Sequence, residues 1–203
     1  MTNSDVDSAG LGRRERKRRQ VRDQLYVAAI DLFAAQGYEA TTMDHIAERA
    51  DVARATVFNY FAQKTGFLEE WGARRRAKVL GILRQEHAEE LTVGERLRRY
   101  VGELACLNIE SRAETAVLIE ASARFGQLLR DPMPEKELAD IIDEGIRRGE
   151  VRTTVDPGEA GSLIAAGYFA ALMRWTGEEP EPFDLRQRLE RMLDIVLEGI
   201  LLR

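Results

Sequence analysis

One cysteine, two histidines and five prolines in 203 residues exclude several classes of protein at once. The lone thiol, Cys106, rules out an intramolecular disulfide framework, and His45 and His87 are too few to complete a Cys/His zinc cluster around it. No metal and no cofactor are therefore expected. Neither histidine has a serine or cysteine partner at a suggestive spacing, so no catalytic constellation is visible and the chain is not expected to be an enzyme. The longest uncharged run, Ala160 to Met173, is shorter than the about 20 residues a bilayer requires, so no membrane partner is expected. The opening MTNSDVDSAGLGRRERKRRQ is polar and then basic, with no apolar stretch behind its charges. It is not expected to be a secretory signal, and a reducing cytoplasm is the expected location.

What the chain has in abundance is charge. Charged residues make up 32% of it, and although the net charge is −5, the positive charge is concentrated at one end. Arg13, Arg14, Arg16, Lys17, Arg18 and Arg19 form a basic arm behind a small, polar segment over residues 1–12 that is expected to be flexible. Such a run is either a solvated helix turn or an attractor of phosphate, with arginines that could enter a minor groove. Few prolines and sustained 3.6-residue periodicity predict an all-α fold.

The central stretch is Thr41 to Lys64, TTMDHIAERADVARATVFNYFAQK. Thr41 or Thr42 can cap a first helix, on which Ile46, Ala47 and Ala50 share a face. Asp51, Val52 and Ala53 make a short turn. A second helix, about Arg54 to Phe61, turns Val57 and Phe61 inward and leaves Arg54, Ala55, Thr56 and Asn59 outward. Arginine donates bidentately to guanine, asparagine pairs with adenine, and alanine or threonine meets a thymine methyl, so these four are the candidate base readers. Thr42, Tyr60 and Lys64 flank that face as candidate phosphate contacts.

The residues from Phe33 to Lys64 resemble the DNA-binding segment of the TetR family of bacterial transcriptional regulators. The resemblance rests on Phe33, Gly37-Tyr38, Thr41-Thr42, Ile46-Ala47, Ala50, Val52, Thr56, Phe58, Tyr60-Phe61 and Lys64. Two positions depart from the family pattern: Asp51 stands where glycine is usual, and Ala53 where serine is usual. The expected cap of the second helix is thereby lost, leaving its N–H groups to Asp51 or to a DNA phosphate. The resemblance implies a helix-turn-helix bundle over residues 13–62, followed by a helical ligand-binding and dimerisation domain over 63–203.

The rest of the chain has its own start and stop signals. A first helix is expected over about Arg16 to Gln36, stopped by Gly37, its stripe sharing a core with Ile46, Val57 and Phe61. A long helix is expected from Lys64 to about Glu90. Thr92 with Glu95 and Ser111 with Glu114 have capping-box spacing. Asp131-Pro132-Met133-Pro134 breaks the chain before a helix over about Glu135 to Arg148. Asp156-Pro157-Gly158-Glu159 is a strong helix start, and the last helix follows Asp184. The two C-terminal helices are apolar over more than one face, which predicts a second copy packed against Leu163, Ala166, Ala170, Met173, Leu189, Met192, Val196 and Ile200. Trp71, Cys106, Glu120, Phe125, Met133 and Tyr168 are soft, aromatic or polar within apolar stripes and are candidates to line an effector pocket; the alternatives are a surface pair of Glu120 with Arg124, four residues on, and ordinary core for the aromatics.

Together these features point to a sequence-specific DNA-binding regulator. It is expected to be a repressor, acting as a homodimer on a double-stranded, pseudo-palindromic operator and released by a small-molecule effector. The alternatives are an architectural or division-linked DNA-binding protein and a helical protein-interaction or ligand-binding module.

Overall fold

The computed structural model describes residues 12–125 and 134–201, and among them it is all-helical apart from one isolated bridge, Val151 with Leu201. The arm expected before Gly12, and Met133 with the break around it, lie outside the described residues. The chain divides into two compact units, one ending at Phe67 and the other beginning at Leu68.

The first unit holds α1 (Arg13–Gln36), α2 (Met43–Arg49) and α3 (Arg54–Tyr60), and α4 (Thr65–Gln85) starts within it. α1 begins three residues earlier than expected, so the basic stretch is helical and its side chains from Arg13 to Arg19 are exposed. Gly37 ends α1 at φ 85°, a conformation open chiefly to glycine. Leu25, Phe33, Ile46, Val57 and Phe61 are buried as expected, and two further rings join them. Phe61 stacks on Phe67 with centroids 3.9 Å apart, Phe33 meets Phe67 edge-on at 6.3 Å, and Tyr38 closes on Phe33 at 4.8 Å. Each such pair adds about 0.5–1.5 kcal/mol beyond its buried area, a useful supplement for a bundle this small.

The second unit continues α4 and adds a 3₁₀ turn (Ala88–Glu90), α5 (Val93–Glu110), α6 (Arg112–Arg124), α7 (Glu135–Arg147), α8 (Pro157–Gly177) and α9 (Leu185–Ile200). α4 stops short of the expected Glu90, because His87 adopts a left-handed conformation at φ 53° and the chain tightens into the 3₁₀ turn. Thr92 and Glu95 form their capping box, whereas Ser111 and Glu114 do not. Ser111 Oγ and Glu114 Oε1 are instead taken by Arg75, at 2.6 and 3.1 Å. Asp156 and Asp184 cap α8 and α9 by accepting from Glu159 N–H at 2.9 Å and Gln187 N–H at 2.8 Å. α8 packs on α6, α7 and α9, and α5 on α7 and α9. At Gly161 the α7 backbone comes so close that an added Cβ would lie 2.7 Å from Glu135 O, which is why α7 and α8 meet at a glycine.

Candidate nucleic-acid interface

Asp51, the residue at the head of the α2–α3 turn, has φ 50°, a left-handed conformation that aspartate tolerates better than most side chains. That explains how the turn forms without glycine. Val52 N–H donates to Ala47 O at 3.0 Å, and Gln24 Nε2 on α1 donates to Ala50 O at 2.5 Å, so the turn is held from both sides. The expected capping by Asp51 does not occur: Ala53 is the N-cap of α3, and no side chain caps it. The C-terminal end is anchored instead. The Arg22 guanidinium lies 4.6 Å from the centre of the Phe61 ring and donates to Tyr60 O at 3.4 Å. Arg22 and Gln24 thus position α3, a role the sequence pattern gave no signal for.

Val57 and Phe61 fix the rotation of α3 by pointing inward, at 0% and 3% exposure. Arg54, Ala55 and Asn59 are exposed, while Thr56 and Tyr60 are half-buried. Arg54 is held by its neighbours: Nη1 lies 3.0 Å from Asp44 Oδ2 on α2, and its guanidinium carbon sits 5.6 Å from the Phe58 ring centre. Phe58 itself is exposed, which nothing in the local sequence pattern signals.

The three candidate phosphate residues have different surroundings. Thr42 is the N-cap of α2 and accepts from His45 N–H at 3.1 Å, while His45 Nδ1 accepts from Thr42 N–H at 3.4 Å, so His45 completes a capping box. The Lys64 ammonium donates to Tyr38 O at 2.7 Å and Thr41 O at 2.8 Å, with Glu39 O at 3.4 Å, and it lies 4.2 Å from the Tyr38 ring centre. Burial lowers its pKa from the ordinary lysine value, partly countered by Glu39. Lys64 thus ties the α1–α2 loop to the start of α4. Tyr60 borders a groove of about 690 Å³ formed with Asn59 and with Gly12, Arg14, Glu15, Lys17, Arg18 and Val21 of α1. Three cations of the basic arm therefore line a groove shared with the C-terminal end of α3.

The expected pocket residues separate. Trp71 and Tyr168 belong to one polar network in the second unit, buried at Asn108 and half-buried at Arg75 and Glu114. Trp71 Nε1 donates to Glu114 Oε1 at 2.7 Å, and Arg75, 4.4 Å from the Trp71 ring centre, reaches Glu114, Ser111 and, at 3.2 Å, Asn108 Oδ1. Asn108 Nδ2 donates to Tyr168 Oη at 2.7 Å, and burial pushes the Tyr168 phenol up to about 12. Cys106 is half-buried. Glu120 is exposed and pairs with Arg124 at 3.1 Å, and Phe125 is 40% exposed, so neither lines the interior. Of the expected interface residues, Leu163, Ala166, Ala170 and Met173 form an exposed stripe on α8, with Met192 and Val196 half-buried on α9. Leu189 and Ile200 lie inside their own unit, at 1% and 9%, where α9 packs on α5 and α8; the large hydrophobic side chain that α9 leaves exposed is Ile195, at 75%.

Residues 25–71 match the family of bacterial regulatory proteins described as tetR family. The HTH-type transcriptional regulator YvkB of Bacillus subtilis, itself uncharacterized, is 34% identical over 184 residues, covering 85% of this chain and 93% of that protein. The chain belongs to the TetR family. Among TetR-family relatives, the HTH-type transcriptional regulator TcmR of Streptomyces glaucescens is 53% identical over 55 residues, 27% of this chain and 24% of TcmR. The crystal structure of Thermus thermophilus FadR, a TetR-family transcriptional repressor in complex with lauroyl-CoA, superposes with a TM-score of 0.72 at 28% identity, covering 90% of this chain and 96% of FadR. The α2–turn–α3 segment is thus the helix-turn-helix of a DNA-binding regulator, and the membership agrees with a ligand-responsive repressor.

Proposed function

We propose that the chain is a homodimeric repressor that reads a two-fold symmetric operator through α3 and leaves it when a small molecule binds the second unit. The observation that carries this reading is the outward row of Arg54, Ala55 and Asn59 on a helix held at its turn and at its C-terminus, where arm cations line a shared groove. Arg54, Ala55, Thr56 and Asn59 read base edges, Arg54 with its fork already oriented by Asp44. Tyr60, Thr42 and the basic arm contact phosphates. Lys64 contributes by holding the loop before α2, with its ammonium committed to backbone carbonyls.

One α3 spans only a few base pairs, and a two-fold partner doubles the site, with half-sites about 34–36 Å apart or a multiple of that. The uncovered stripe Leu163, Ala166, Ala170 and Met173, with Ile195, supports pairing of two copies through α8 and α9. The effector class to test first is a fatty acyl-CoA, because the FadR relative is a lauroyl-CoA complex. Its binding biases the dimer toward a released state by its differential affinity for that state. α4, continuous from the first unit into the second, carries the change.

Selection of bound duplexes from a randomised pool by the purified full-length chain tests the reading. A symmetric motif is expected, and lauroyl-CoA is expected to release it. Retention without any motif favours an architectural protein and contradicts sequence-specific repression.

A further inference from the structure

Phe58 is the large hydrophobic side chain that α3 leaves outside, 42% exposed, whereas Phe33, Phe61 and Phe67 of the same unit are 3% exposed or less. Folding gains little from a ring in that position. It follows Arg54 by four residues and so shares its stripe of the helix, and the Arg54 guanidinium carbon lies 5.6 Å from the ring centre. Asp44 on α2 holds the same guanidinium from the other side at 3.0 Å. The three side chains form one small surface with an aromatic ring at one end and an arginine fork beside it. A purely apolar partner would have to desolvate that arginine to cover the ring.

The floor of the major groove offers this surface a suitable partner. Guanine presents two acceptors to an arginine fork, and thymine carries the 5-methyl group, the apolar group of the base edges there. Side chains four residues apart on a helix lie about 6 Å from each other, against a rise of about 3.4 Å per base pair. We propose that Phe58 reads the 5-methyl of a thymine one or two base-pair steps from the guanine read by Arg54, so that each half-site contains a G and a T at that spacing. This specificity rests on the proposed entry of α3 into the major groove and adds a residue and a base to it.

The test uses the full-length chain and the selected duplex, with each thymine replaced in turn by deoxyuridine, which lacks only the methyl group. One replacement per half-site is expected to weaken binding roughly fourfold, the effect of one buried carbon. Phe58→Ala is expected to abolish that difference while the protein unfolds at an unchanged temperature, Phe58→Leu to retain part of it, and Arg54→Ala to relax the guanine while leaving the methyl dependence intact. A selected motif in which no replacement matters overturns the thymine reading and leaves the repressor reading standing, as does a methyl dependence that survives Phe58→Ala. The absence of any motif removes both.

Discussion

The two units use some of their charges differently. In the first, the cations of the basic arm and Arg54 are outside, around a core of apolar side chains and the rings of Phe33, Tyr38, Phe61 and Phe67. In the second, Arg75 and Glu114 form a half-buried pair, and Arg75 reaches the buried Asn108, which in turn donates to Tyr168. A unit that meets a polyanion gains from cations whose counterions can be released. A unit that must discriminate a small molecule, or hold one of two packings, gains from polar groups whose loss leaves partners stranded. The contrast implies that equal changes in side-chain chemistry have unequal consequences in the two units.

The largest effect is expected inside the second unit. Arg75→Met keeps most of the side-chain volume but takes one donor from each of Glu114, Ser111 and Asn108; Glu114 is half-buried and keeps Trp71, so the loss should be about 2–3 kcal/mol in urea unfolding. A cost under about 1 kcal/mol would mean that the network contributes little and that the contrast is superficial. In the first unit, Lys64→Met removes an ammonium from three carbonyls and should cost about 1–2 kcal/mol, allowing for its partial exposure. Salt should change that loss little if it reflects carbonyl bonding.

High pH sharpens the comparison. Tyr168 is raised to about 12, and Tyr38 and Tyr100 are also raised, in each case chiefly by burial. The unfolded chain loses these protons near pH 10 and the folded chain later, so above pH 10 the folded state binds more protons and stability falls with rising pH. Stability from these groups is complete below pH 10 and, for Tyr168, is lost by about pH 12. Tyrosinate absorbance from the buried rings should therefore rise together with loss of helical circular dichroism. A separate, earlier rise would show that the rings are accessible.

Smaller effects follow at the surface. Asp156→Ala removes the α8 cap and should cost about 1 kcal/mol. Arg54→Ala should change stability by less than about 0.5 kcal/mol, since its pair with Asp44 is exposed. The same substitution should cost about 1–3 kcal/mol on a selected operator.

What is legible in the sequence is what local signals decide. The helix-turn-helix could be read because local signals coincide there: the Thr42 cap, the stop at Gly37, the inward pair Val57 and Phe61, and a family pattern dense enough to name. The starts of α5, α8 and α9 were legible from single capping residues for the same reason. Ser111 and Glu114 have the spacing of a capping box, but Arg75, 36 and 39 residues away in sequence, takes both side chains, a contact that no local signal carries. Glu120 takes the surface pair with Arg124 that its spacing allows rather than a pocket position, and Phe125 is exposed, because stripe membership does not say which edge of the stripe is covered. Leu189 and Ile200 were assigned to a partner for a related reason, since α5 and α8 use that face of α9 first. Phe58 belongs to the family pattern like its neighbours, and only its exposure sets it apart from the unit's other phenylalanines.

The most direct test of sequence-specific reading by α3 is the ratio of affinities of the full-length chain for its selected duplex and for a scrambled duplex of the same composition, measured at physiological salt. A ratio of about a thousand or more is expected for a specific regulator. A ratio near one, with both affinities falling steeply as salt rises, would mean that the arm and the helix hold DNA without reading it.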